Sequence, residues 1–248
     1  MGTDVNHRHA DHSLSVVIPA LNEEGNIQGS LDAVTAAAER HFGDYEIIVV
    51  NDGSTDRTAA IIQSNMLRSP RIRMLSHEQP WGFGASYHDG RRSATKTYTT
   101  MVHGDNAFDP QTLSNFLSHV GKADVICGYI ANPEARSWTR RLISSVYTTA
   151  VNILFLMHLR YFNGLQVHKT EWLQRADVKS GGFGFQAELL IKAIKEGRTY
   201  LEVPTIHTER PGGGETKIFK LKNIRSVVTT VAGIFMWNIK GALSGRRS

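Results

Sequence analysis

Residues Met101 to Pro110 read MVHGDNAFDP, and the reading of this decamer decides the fold. Ahead of it, Thr97 to Val102 carries Tyr, Thr and Val, residue types that suit a buried strand; behind it, Pro110 suits the first turn of a helix. Asp105 is therefore expected just beyond the carboxyl end of a strand, where open α/β sheets bind ligands. A carboxylate there holds a divalent cation, Mg²⁺ or Mn²⁺, whose remaining positions go to substrate phosphates and water. A plainer role is open to the same residues: Asp105, Asn106 and Asp109 also suit a turn and a helix cap.

Outward from that stretch the chain alternates. Leu14 to Pro19 is a short apolar, β-branched run, and from Asn26 to Glu39 the residues Ile27, Leu31 and Val34 recur at helical spacing. Tyr45 to Val50 is a second strand, followed by NDGSTDRT and a helix over Ala59 to Met66, with Ser54 or Thr55 as its cap. Ile72 to Leu75 is a third strand, then come a loop holding Gly82 and Gly84 and a helix to about Lys96. Repeated strand-loop-helix units predict a mostly parallel sheet flanked by helices, with the loops after strands one, two and four on one rim. That rim gathers Asn22, Glu23, Asp52 and Asp105, acidic for the most part in a chain of formal net charge +5. No GxGxxG follows strand one and no GxxxxGK[ST] occurs, so a dinucleotide-binding Rossmann domain and a P-loop NTPase are poorly supported.

The chain has 248 residues, 41% of them hydrophobic, enough for one large α/β domain with a substantial core. The single cysteine, Cys127, rules out an intramolecular disulfide and reads as a core residue of a strand. Residues 1 to 13 lack a long apolar core and are expected to form a disordered tail, its three histidines included.

SVVIPALNEEGNI, EIIVVNDGSTDRT and HGDNAFDP, in this order, resemble the nucleotide-binding half of the family 2 inverting glycosyltransferases with a GT-A fold. RRLISS (Arg140 to Ser145), FNGLQV, GFGFQAELL and EVPTIHTERPGGGETK are similar to the polyprenyl-phosphate (dolichol-phosphate) mannose or glucose synthase branch, and the resemblance spans about Leu14 to Phe219. It implies a glycosyltransferase domain over 14 to 218, followed by a basic amphipathic helix and tail over 219 to 248. By the same resemblance Asp52 contacts the nucleotide base, while Pro19, Ala20, Asn22, Glu23 and Gly104 line the nucleotide pocket. Asp105 is the metal ligand. His103 stands where a first Asp often does and Ala107 where a Gln ligand often does, which leaves one firm carboxylate and makes His103 a further candidate ligand. Arg140 and Ser144 match residues that hold the acceptor phosphate. A further family arginine is replaced by Tyr129 and Ile130. Arg210, Gly213, Gly214 and Lys217 belong to a lid on the diphosphate, and a plain flexible loop is the alternative there.

The second half also speaks through its own residues. From Ala135 to Thr170 there is no Asp or Glu, while Arg136, Arg140, Arg141, Arg160 and Lys169 lie among aliphatic and aromatic residues. Such a segment suits an interfacial helix on an anionic membrane, where each basic side chain contributes on the order of 1 kcal/mol. An ordinary core helix with solvent-facing arginines is the alternative. Thr216 to Ser248 again lacks acids, and its apolar part, Val227 to Trp237, is too short to span a bilayer. The expectation is a cytoplasmic protein peripheral to a membrane's cytoplasmic face. A separate membrane subunit and a homo-oligomer are both left open.

The expected reaction passes a hexose from a GDP- or UDP-sugar to a polyprenyl phosphate. A phosphate monoester oxygen is anionic near neutral pH, so positioning and charge neutralisation suffice, with Arg140 holding the nucleophile and Asp105, Arg210 and Lys217 serving the departing diphosphate. Glu188 would serve as a base were the acceptor a hydroxyl; orienting the sugar or bonding the lid are equal readings. A soluble hydroxyl acceptor is the alternative reaction. A nucleic-acid partner is not expected, because the positive charge sits beside aliphatic runs without an array of stacking aromatics.

Overall fold

The computed structural model describes residues 12–182, 184–207 and 221–243, with side chains of the last segment described over 229–240. Of the tail expected over 1–13, residues 1–11 lie outside the described residues and Ser13 already belongs to the first strand; the glycine-rich segment with Arg210, Gly213, Gly214 and Lys217 also lies outside them.

One seven-stranded sheet runs in the order β3-β2-β1-β4-β6-β5-β7, built from β1 (Ser13–Ala20), β2 (Asp44–Asn51), β3 (Ile72–Ser76), β4 (Tyr98–Met101), β5 (Val125–Ile130), β6 (Gln166–Lys169) and β7 (Tyr200–Thr205). β1 pairs in parallel with β2 and β4, β2 with β3, and β5 with β7. β6 runs antiparallel to both β4 and β5. Every strand except β6 therefore ends on the same rim. The sheet is mostly parallel, as expected; the single reversal at β6 is a finding that periodicity does not encode.

β1 and β2 are apolar along nearly their whole length because both sheet faces are covered. Side chains alternate across the sheet, so Leu14, Val16 and Ile18 pack toward α1 (Ile27–His41) and α4 (Pro110–Leu117). Val17, Ile48 and Val50 face the opposite layer, which holds Tyr87 of α3 (Phe83–Ser93), Val151 and Phe155 of α5 (Trp138–Phe155) and Leu189 and Leu190 of α7 (Phe185–Lys195). α2 (Thr58–Arg68) and the short α6 (Thr170–Arg175) complete the covering, and α8 (Leu221–Leu243) lies against α5 and α7. Cys127 is buried in β5, and burial pushes its thiol pKa up to about 12, consistent with a core role.

Two local expectations need correcting. α3 ends at Ser93, short of Lys96, where the chain extends toward β4. α2 is not capped by Ser54 or Thr55: Asp56 Oδ1 accepts the Thr58 N–H at 2.9 Å, while Ser54 and Thr55 bond across to Asn22. The neighbouring loop occupies both residues, its Asn22 N–H taking the Ser54 hydroxyl and its Oδ1 taking the Thr55 N–H, which leaves the Thr58 N–H to the local Asp56.

Candidate active site

The loops after β1 and β2 are bonded to each other. Asn22 takes the left-handed conformation (φ 55°), which Asn tolerates better than most residues; its N–H donates to Ser54 Oγ at 3.0 Å and its Oδ1 accepts the Thr55 N–H at 2.9 Å. The Glu23 N–H donates to Thr58 Oγ1 at 2.8 Å, and Glu23 Oε2 accepts from Asn26 Nδ2 at 2.9 Å. ALNEEG and NDGSTDRT thus form one rim, with the Asp52 N–H bonded to the Ala20 carbonyl at 2.9 Å.

The Asp52 carboxylate is engaged from several sides. It is 3% exposed; its Oδ1 lies 2.8 Å from His77 Nδ1 and accepts the Trp81 N–H at 2.8 Å, while Oδ2 accepts the Gly82 N–H at 2.8 Å. Burial alone would raise its pKa, but these hydrogen bonds outweigh burial and hold it below the ordinary carboxylate value.

The Asp105 loop is secured from α1. The Ser30 hydroxyl donates to the His103 carbonyl at 3.3 Å and accepts the Asn106 N–H at 2.8 Å. Asn106 is left-handed (φ 53°), and its amide covers Gly29, where a Cβ would meet Nδ2 at 2.5 Å. Gly104 packs against the end of β1: a Cβ there would lie 3.1 Å from the Pro19 carbonyl oxygen. Asp105 itself is 8% exposed, and the His103 ring stacks on Phe83 with centroids 4.9 Å apart. Of the three polar residues, Asp109 is the helix cap, accepting the Gln111 and Thr112 N–H groups at 2.8 and 2.9 Å.

On the far side of this loop β5 and β7 end together. Asn132, beyond β5, and His207, beyond β7, exchange two hydrogen bonds of 3.0 Å through the asparagine amide and the histidine backbone. His207 was not among the residues singled out from sequence. Its ring meets Phe108 edge to face at 4.7 Å, and its Nε2 is buried with no hydrogen-bond partner. Burial lowers its pKa to about 4; the charges of Arg136, His103 and Arg140 act in the same direction and Asp105 opposes them. The imidazole is therefore neutral at neutral pH, a form able to ligate metal. Arg136, His103, Asp105 and Arg140 therefore all lie within electrostatic reach of this imidazole. The available sequence signal was its position, a histidine between a rim strand and a basic glycine loop.

Arg140 and Ser144 stand four residues apart on α5, on one helical face, and both are half-buried. Tyr129, at the position of the missing family arginine, has the Arg160 guanidinium 4.4 Å above its ring. Glu188 is buried in α7: its carboxylate accepts the Lys179 and Ser180 N–H groups at 3.2 and 3.0 Å and pairs with Lys192 at 2.7 Å. It lines a cavity of about 270 Å³ with Thr230 and Trp237 of α8. No group of three or more His, Cys, Asp or Glu residues suited to a metal occurs among the described residues.

Residues 15–181 match the model of glycosyl transferase family 2. The chain is 30% identical to the polyprenol monophosphomannose synthase of Mycolicibacterium smegmatis, covering 94% of this chain and 89% of that protein. It is 24% identical to the undecaprenyl-phosphate mannosyltransferase of Micrococcus luteus, covering 94% and 96% respectively. Among solved structures it is similar in fold to glucosyl-3-phosphoglycerate synthase of Mycobacterium tuberculosis, crystallised with Mn²⁺, UDP and phosphoglyceric acid. The TM-score is 0.66 at 19% identity, covering 90% of this chain and 78% of that one. The sheet order, the rim on which the motif loops meet and the match over 15–181 lead to one conclusion: the chain belongs to glycosyl transferase family 2 and is a glycosyltransferase with the GT-A fold.

Proposed function

We propose that this glycosyltransferase moves a hexose, with inversion, from a nucleotide sugar (a GDP- or UDP-sugar) to a polyprenyl phosphate. The observation that carries the reading is that Asp105 and His103, beyond β4, and Arg136 and Arg140, at the start of α5, are all within electrostatic reach of His207, beyond β7, on the rim where the motif loops meet. It supports a metal-binding role for the acidic group and an acceptor role for the basic ones. The names of the M. smegmatis and M. luteus relatives support the lipid phosphate as acceptor.

A divalent cation, Mg²⁺ or Mn²⁺, fits the chemistry of these donors: Asp105 would supply an oxygen, and the buried, unpartnered Nε2 of the neutral His207, within electrostatic reach of it, would supply a nitrogen. His103 is a further candidate. Held there, such an ion would supply charge neutralisation for the donor diphosphate. Arg140 and Ser144 hold the acceptor phosphate, whose oxygen is already anionic and needs no strong base. Glu188, engaged by Lys192 and two backbone N–H groups, is left to a supporting role. The resemblance assigns Arg210, Gly213, Gly214 and Lys217 to the departing diphosphate.

Peripheral attachment to the cytoplasmic face of an anionic membrane belongs to the same proposal. α5 leaves Trp138, Val146 and Ile153 exposed at 66%, 61% and 71%, and Leu142 and Ile143 are exposed between them. Arg136, Arg140 and Arg141 stand close to the N-terminal end of the same helix. No helix among the described residues is long and apolar enough to cross a membrane.

The deciding experiment offers purified protein a panel of nucleotide sugars with Mn²⁺, with and without polyprenyl phosphate and soluble hydroxyl acceptors. Lipid-phosphate product should require Asp105, and Arg140→Ala should chiefly raise the KM for the lipid. Transfer to a soluble hydroxyl acceptor, indifferent to added polyprenyl phosphate, would defeat the proposal.

A further inference from the structure

Deepening the donor side of the proposed reaction, and resting on that reading, we propose that Trp81 is the stacking face for the donor's nucleobase, with His77 as its rigid backing. Trp81 is 58% exposed although its backbone is fixed by the N–H bond to Asp52. One face of its indole lies on the His77 ring, centroids 4.3 Å apart and planes 19° from parallel. That imidazole is held at both ends: Nδ1 lies 2.8 Å from Asp52 Oδ1 and Nε2 lies 3.1 Å from Asp89 Oδ2, with the side chain 6% exposed. The result is an aromatic plate braced from behind and open in front. A planar π-system completes it, because stacking on a fixed aromatic carries little ordering cost.

The position fits the rest of the donor. Gly53, at φ +70°, touches the backbone of the loop that carries Trp81: a Cβ there would meet the Gln79 carbonyl carbon at 2.7 Å, so β2 and the loop after β3 are locked together. Asp105 follows β4, three strands from β3 in the sheet order. With strands about 4.8 Å apart, the two positions are roughly 14 Å apart along the rim, a gap that an extended nucleoside diphosphate bridges. Asp52 then serves the base through Trp81, as a positioning residue whose two oxygens are occupied by His77, Trp81 and Gly82. Stacking of this kind reads planarity more than hydrogen-bonding edges.

The test measures binding of UDP, GDP and inorganic pyrophosphate to the full chain with Mn²⁺, by calorimetry and by tryptophan fluorescence. Trp81→Ala should weaken both nucleotides by about fivefold to a hundredfold and leave pyrophosphate unchanged. Trp81→Phe should bind within about threefold of wild type by calorimetry but lose the nucleotide-dependent quenching, although the other three of the four tryptophans remain. Asp52→Asn should raise the donor KM with kcat retained and pyrophosphate affinity unmoved. If wild type binds the nucleotides and Trp81→Ala binds them equally, or loses pyrophosphate to the same extent, the stacking face is refuted while the reaction stands. If wild type binds neither UDP nor GDP, the proposed reaction falls and this inference with it.

Discussion

Ser30→Ala tests how the Asp105 loop is held. Ser30 is 2% exposed on α1, and its hydroxyl spans the loop, donating to the His103 carbonyl at 3.3 Å and accepting the Asn106 N–H at 2.8 Å. Removing it strands the Asn106 N–H, and a buried donor without an acceptor costs about 1–3 kcal/mol. Asn106 is half-buried, the bond to His103 is long, and alanine regains about 0.5 kcal/mol of helix propensity, so the expected loss is about 1–1.5 kcal/mol. In a chain of 248 residues that is a drop of about 3–5 °C in Tm. Loss of an outer-shell support commonly weakens metal binding by about tenfold or more. Each tenfold removes about 1.4 kcal/mol of ligand-linked stability, so the gap between wild type and variant should roughly double when Mn²⁺ and a nucleoside diphosphate are added. Thermal melts with and without those ligands measure both quantities. An identical gap under the two conditions would refute the argument that this serine positions Asp105, and an unchanged Tm would remove the hydrogen bonds from the account.

His168 supplies a pH dependence. Burial, with the charges of Arg198 and Arg91, lowers its pKa to about 3, so the folded state refuses a proton that the unfolded chain takes up near its ordinary value. Its contribution is complete above about pH 6.5 and declines as pH falls, by on the order of 3 kcal/mol at pH 4; denaturant unfolding of His168→Phe should show a shallower acid slope. Lys192→Met leaves the Glu188 carboxylate buried without its ion partner and should cost about 3–5 kcal/mol, much of it recovered in the double variant with Glu188→Gln. Equal denaturation midpoints for the single and double variants would contradict that coupling. Gly84→Ala would put a Cβ 2.4 Å from the Gly181 carbonyl oxygen, a backbone contact that α3 cannot relieve alone, and soluble expression should fall sharply.

What could be read along the chain was whatever depends on neighbours in sequence. Strand and helix periodicity, Pro110 opening α4 and Asp109 capping it, and the arrival of the ALNEEG, NDGSTDRT and HGDNAFDP loops on one rim all follow from local pattern and the handedness of β-α-β connections. The acid-free, aliphatic character of α5 was likewise legible from composition, but the exposure of its Trp138, Val146 and Ile153 was not, because a core helix has the same composition. Contacts between distant residues were decided only by the tertiary structure. Ser54 and Thr55 left their own helix for Asn22, Asp52 turned into the loop that carries Trp81, Glu188 closed on Lys192 and two backbone N–H groups, and β6 entered the sheet backwards to bring β5 and β7 to the rim. His207 shows why: its neighbours in the chain give no hint of Asp105 or Arg140, and its low pKa comes from burial and charges contributed by other elements. Propensity acts over a few residues, whereas burial and Coulomb forces act over a few ångströms whatever the separation in sequence.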